Sequence, residues 1–140
     1  MADIAHPVET PLSFKVGTLE ATVEGSTDTD ILTEQVSEIR FTPTSESASW
    51  TGISGNSVSD QGIATWVVTL GMIQDIAASG LLRWLLANEG KKAAFTSLLT
   101  TGVTVDFTAT ISPAEIGGPV GPGYLTSTVQ LAMDGKPVFS

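Results

Sequence analysis

Residues 103–111, VTVDFTATI, alternate apolar and polar side chains without a break: Val103, Val105, Phe107, Ala109 and Ile111 against Thr104, Asp106, Thr108 and Thr110. A period of two sends successive side chains to opposite faces of a strand, so this run predicts a strand with one face on a core and one in water. A half-buried strand needs a second layer to cover it, which narrows the fold to layered antiparallel sheets. The same texture recurs along the chain. Residues 12–24 alternate Leu12, Phe14 and Val16, then Leu19, Ala21 and Val23, and the phase changes at Gly17–Thr18, where a glycine can host a bulge. Residues 35–42 place Ile39 and Phe41 on one face before Pro43, which is expected to stop the strand. Trp66, Val68 and Leu70 share a phase within residues 63–70, as do Leu125, Val129, Leu131 and Met133 within residues 125–133. Asp134–Gly135 then reads as a type I′ hairpin turn into residues 136–140.

One segment breaks this period. Within residues 75–90, Ala78, Leu81, Leu82, Leu85 and Leu86 recur at three and four, the spacing of a helix face. The pattern predicts a helix over about 78–88, capped by Ser79 or Asp75, ended near Asn88–Gly90, and followed by Lys91 and Lys92 to complement its dipole. Trp84 lies off the leucine stripe and is expected to meet a different neighbour. Residues 44–62 are rich in Ser, Gly and Asn around Trp50 and Ile53, and read as a long hairpin or a long loop. The whole is a mainly β chain: a β-sandwich or small barrel of about eight strands with one flanking α-helix, over residues 12–140. Residues 1–11, polar and proline-bearing, are expected to be a flexible arm.

Charge and composition remove several function classes. Of 140 residues, 15 are acidic and 6 basic, a formal charge of −9, and there is no cysteine. Disulfides, thiolate catalysis and cysteine-ligated zinc are therefore excluded, and a phosphate-gripping surface lacks its lysines and arginines. The acid is concentrated: the first 60 residues hold ten acids against Lys15 and Arg40. Residues 1–11 lack the basic and apolar regions of a signal peptide, and no apolar run is long enough to cross a membrane, so neither export signal nor membrane contact is expected.

Catalytic constellations are scarce. His6 is the sole histidine and falls in the arm, where it is ill placed to serve as a fixed base or as one of several zinc ligands. Asp28 and Asp30, with Glu34 nearby, begin like a calcium loop, but Leu32 and Thr33 occupy the positions that should carry an oxygen ligand and a glycine. The glycines of residues 117–123 lack the lysine of a phosphate loop. Neither an enzyme nor a cofactor is expected. A mobile arm, two long Gly/Ser-rich segments and an off-stripe tryptophan point instead to an interaction surface.

The order of features resembles a known family. A proline-stopped strand (Ile39 to Pro43) precedes a Trp-Thr-Gly segment (Trp50 to Gly52). A strand then runs through Gln74–Asp75 into an LLxxLLxNxGK helix (residues 81–91), followed by an IGG loop (Ile116 to Gly118) and DGKP (Asp134 to Pro137). This is similar to the tail tube, or major tail, proteins of siphovirus-type bacteriophages. The resemblance implies a structural virion protein, assembled in the bacterial cytoplasm as hexameric rings that stack into a hollow tube through which DNA passes unbound. Its implied partners are further copies of itself and the tail terminator, tape-measure and distal tail proteins. It assigns no catalytic residue and no extra C-terminal domain. Under it, Glu20, Thr22, Glu24, Glu34 and Glu38 are the lumen-lining candidates. Thr44, Glu46, Trp50, Asn56 and Asp60, in the long loop, are the candidates for contact between rings. An acidic bore would repel phosphate over a Debye length of about 8 Å. The competing readings are a sugar-binding or adhesin-type sandwich, which needs exposed aromatics, and another virion part such as a head-decoration or tail-terminator protein.

Overall fold

The computed structural model describes residues 3, 5–7, 12, 17–45, 47–100 and 102–140, with the side chains of Asp60 and Gln61 outside that description. Most of the expected arm, together with Phe14 and Val16, lies outside the described residues. Ten strands and one α-helix are arranged in order: β1 (Thr18–Val23), β2 (Asp30–Ile31), a 3-10 turn (Thr33–Gln35), β3 (Val36–Thr44), β4 (Ser47–Thr51), β5 (Ser57–Gln61), β6 (Thr65–Ile73), α1 (Leu81–Ala87), β7 (Lys92–Thr100), β8 (Val103–Thr110), β9 (Thr126–Ala132) and β10 (Val138–Phe139). They form a five-stranded sheet in the order β10-β8-β7-β1-β2, a three-stranded sheet β3-β6-β9 and a separate hairpin β4-β5.

The two larger sheets face one another across a shared core. Leu19, Ala21, Phe95, Val105 and Phe107 come from the five-stranded sheet; Val68, Leu70, Met72, Val129 and Leu131 come from the other. The sheets touch at one corner, where Met133 bridges to Ala109, but no barrel closes. An open sandwich is thus the member of the expected pair that forms. At its centre Phe95 and Phe107, directly opposed on β7 and β8, lie parallel with ring centroids 5.0 Å apart. Phe41 of β3 meets Phe107 edge-on at 4.9 Å, and Trp84 of α1 meets Phe95 edge-on at 6.4 Å. Trp84, off the leucine stripe, therefore reaches the core by a second route.

Several expectations are corrected. β3 does not stop at Pro43: it continues to Thr44, with Pro43 paired to Trp66. β3 is the edge of its sheet, where a missing N–H costs no ladder bond if it faces outward. The helix starts at Leu81, later than expected, leaving Ala78 and Ser79 outside it, and Leu86 is exposed while Leu81, Leu82 and Leu85 are buried. Its cap is remote. Gln35 Oε1 accepts from Leu81 N–H at 2.7 Å, and Gln35 Nε2 donates to Asp75 Oδ2 at 3.3 Å. No side chain local to the helix caps it. Asp134–Gly135 does not close a hairpin either, because β9 pairs with β6 in one sheet while β10 pairs with β8 in the other. The turn carries the chain between layers. β7 is absent from the sequence reading altogether, although it is a central strand; Lys92, expected only to complement the helix dipole, begins it and pairs with Asp134 at 3.2 Å.

Truncating Phe95 to alanine removes the ring that links the sheets to the helix. The Phe95→Ala protein should lose about 3–5 kcal/mol of unfolding free energy, measured by urea denaturation.

Candidate assembly interface

Strands β4 and β5 stand apart from the sandwich. They pair only with each other, Ser47 opposite Gln61 through Thr51 opposite Ser57. The turn is closed by Gly52 N–H to Asn56 O at 2.8 Å and Gly55 N–H to Gly52 O at 2.9 Å, with Gly55 at φ +90°. The segment 44–62 is thus a hairpin, one of the two forms expected of it. It leaves the three-stranded sheet at Thr44↔Thr65 and forms a ladder of its own from Ser47↔Gln61 onward.

None of the described hairpin residues belongs to the core, yet it carries large apolar side chains. Trp50 is 70% exposed, Val58 opposite it is 65% exposed, and Ile53 at the turn is fully exposed. The Trp50 ring lies over Gly52, where a Cβ would come within 2.9 Å of it, so only glycine admits this pose. An isolated two-stranded hairpin is marginal in water, and this one holds its largest apolar side chains in the open. Of the expected inter-ring residues, Thr44, Trp50, Asn56 and Asp60 all fall on the hairpin or its root, whereas Glu46 lies outside the described residues.

The second surface is the outer face of the five-stranded sheet. Inward Leu19, Ala21 and Val23 leave Thr18, Glu20 and Thr22 facing water, and Glu24 continues that phase just past the strand. Across the sheet Glu20 opposes Thr96, which opposes Asp106, and Thr96 Oγ1 donates to Asp106 Oδ1 at 3.0 Å. Lys92 is the sole lysine or arginine in these five strands, and its ammonium is held by Asp134. The face is therefore threonine-rich and acidic, with exposed Ile31 beside Glu20 and exposed Val138 beside Asp106. Glu24 Oε1 accepts from Lys92 N–H at 3.2 Å.

The four glutamates named as lumen candidates are not brought to one place. Glu20 and Glu24 belong to the outer face of the five-stranded sheet. Glu38 is on β3 in the other sheet, beside Gly71 and 3.1 Å from Arg40, and Glu34 sits in the 3-10 turn. Asp106 joins the first pair. Its outward phase is visible in the alternating run of residues 103–111, but its adjacency to Glu20 depends on β7, the unread strand between them.

No protein-family model matches the sequence, and no curated protein matches it. The fold, however, has a solved counterpart. A chain of the structure titled "Cryo-EM structure of the anti-feeding prophage (AFP) baseplate, 6-fold symmetrised" superposes with a TM-score of 0.58, covering 95% of this chain and 97% of that one. Identity is 10%, so the likeness is one of fold, and it extends over nearly the full length of both chains. Among the described residues no helix is long and apolar enough to cross a membrane.

Because the described hairpin residues contribute nothing to the core, replacing residues 46–63 by a short Gly/Ser turn should leave a folded sandwich. Its thermal midpoint should stay within about 2–4 °C of the parent, since the change amounts to a fraction of 1 kcal/mol.

Proposed function

We propose that this chain is a structural subunit of a phage-type particle, and more specifically that it self-assembles into hexameric rings stacked as a hollow tail tube. The observation that carries the reading is the end-to-end fold match to a chain of a six-fold symmetrised prophage baseplate, taken together with a hairpin that has no partner within its own subunit. The order of motifs read from the sequence points to the same class. A tube wall is supplied by the outer face of the five-stranded sheet, where Glu20, Glu24 and Asp106 are set among threonines. Such a wall has no unpaired lysine or arginine to displace the counterions of duplex DNA, so DNA passes without being retained. The hairpin serves contact between stacked rings, and tail terminator, tape-measure and distal tail proteins are the partners at the ends and in the bore. The particle is put together in the cytoplasm of the bacterial host.

The sugar-binding reading calls for aromatics gathered on an exposed face. Trp66 and Trp84 are packed against the core instead, while Trp50 and Tyr124 are exposed on separate segments. No aromatic platform forms from them.

Electron microscopy of the purified protein at high concentration should show rings about six subunits around, or tubes built from them. A strictly monomeric protein would overturn the proposal. Tubes of the Glu20→Lys/Asp106→Lys variant should still form but should retain duplex DNA in a gel-shift assay at about 0.15 M salt, with the retention lost at higher salt. Tubes that ignore DNA after this charge reversal would remove the five-stranded sheet from the wall.

A further inference from the structure

On the side of the sandwich away from β8 and β9, two strand edges border a cleft. β3 supplies one of them, since it pairs only with β6. On β6, Trp66 O accepts from Met133 N–H at 3.1 Å, so the backbone of Trp66 and of every second residue after it faces β9. Val67, Thr69 and Gly71 face the other way, toward Thr42, Arg40 and Glu38 of β3. Ile39, Phe41 and Pro43 therefore turn their backbone groups outward, and no backbone partner among the described residues meets them. The register shifts between Val36 and Glu38, so the open run of Ile39 and Phe41 lies between an irregularity and a proline. Both are devices that keep a natural edge short.

The second edge belongs to β1. Leu19 O accepts from Leu32 N–H at 2.8 Å, and Leu19 N–H donates to Thr33 Oγ1 at 3.1 Å. β2 covers β1 only at Glu20 and Ala21. Between the start of β1 and β3 lies a cleft of about 400 Å³, bordered by Gly17, Leu19, Val36, Glu38, Ile39 and Ser97. The inward side chains of Ile39 and Phe41 are only half-buried, whereas Leu70 and Val68 opposite them on β6 are fully buried. The site thus has what one more strand needs: outward N–H and C=O groups, and apolar side chains left half-covered beside them.

Charge selects the occupant. Residues 17–44, which build both edges, hold six acids and one base, Arg40, whose guanidinium is already 3.1 Å from Glu38. The chain's other edge strands, β2, β9 and β10, contain no lysine or arginine, and a second copy brings the same net charge of −9. Complementarity favours a basic segment of a different protein.

We propose that the β3 edge is a strand acceptor, and that its occupant is an extended basic segment of a different protein with aliphatic side chains at alternate positions. Main-chain hydrogen bonds to Ile39 and Phe41 set its register, its aliphatic side chains enter the cleft over Leu19 and Val36, and its basic side chains meet Glu38 across the strand pair. The inference does not rest on the stacked-ring reading.

The probe is a fluorescein-labelled peptide of alternating valine and lysine, nine residues long to match β3. It is titrated into isotope-labelled protein below the assembly concentration. Fluorescence anisotropy should show saturable binding at about 10–100 μM in about 0.05 M salt, weakening as salt rises. The backbone amide resonances of Ile39 and Phe41 should shift. Glu38→Lys should weaken binding by about tenfold with far-UV circular dichroism unchanged. The same peptide N-methylated throughout keeps its charge but has no N–H to donate, and should not bind. Equal binding of the N-methylated peptide, or shifts confined to the Glu20–Thr96–Asp106 face, would mean charge attraction without strand addition and overturn the proposal. A valine–threonine peptide that binds as tightly would overturn the basic partner. Self-association of the protein that the peptide reverses would make the occupant a second copy and equally overturn it. Electron microscopy of the protein without peptide decides the ring reading separately.

Discussion

Four aromatic rings hold the layers of this protein together. Phe95 and Phe107 stack face to face on neighbouring strands, Phe41 reaches Phe107 from the opposite sheet, and Trp84 reaches Phe95 from the helix. Each such pair contributes about 0.5–1.5 kcal/mol beyond the area it buries. The greater consequence is geometric. Among the described residues one helix and two open sheets surround the core, and the rings fix the spacing of all three at a single point. Around them, small inward residues such as Ala93 and Ala109, opposed on β7 and β8, complete the floor of the five-stranded sheet.

With the interior settled this way, the exterior divides into parts with different tasks. The five-stranded sheet turns a threonine-rich acidic face outward, short of cations. The ends of β6 carry apolar surface instead, on a projecting hairpin and on a loop of residues 112–125 that the Gln74 side chain anchors at Gly117. The separation is not complete, since exposed Ile31 stands beside Glu20 and exposed Val138 beside Asp106 on the sheet. The net charge of −9 makes separate copies of the chain repel one another in solution.

The legible strands are those whose inward side chains are large. β6 and β8 carry Val, Leu, Met and Phe on the core side, and their alternation reads directly. β7 hides its alternation because its inward phase runs Ala93, Phe95, Ser97, Leu99, and Ser97 is buried only by virtue of its hydrogen bond to Thr18 O at 2.9 Å. That partner is 79 residues away in sequence. The remote helix cap from Gln35 and the crossing of sheets at Asp134–Gly135 are hidden for the same reason: both depend on which segment becomes the neighbour. Local pattern likewise assigns Glu20, Glu24 and Glu38 to strand faces or their ends but does not say that Glu38 belongs to a different sheet. The exposed Trp50 contradicts its type, since a tryptophan so open is rare in a monomer's surface.

The separateness of the hairpin has a consequence for how such a chain can diversify. β4 and β5 pair with each other and with neither larger sheet, so no described hairpin side chain is answerable to the core. Changes there alter the surface the chain presents without altering what folds. Two lineages sharing this sandwich can therefore diverge in surface chemistry through a few residues near Trp50 and Ile53, each keeping the same fold.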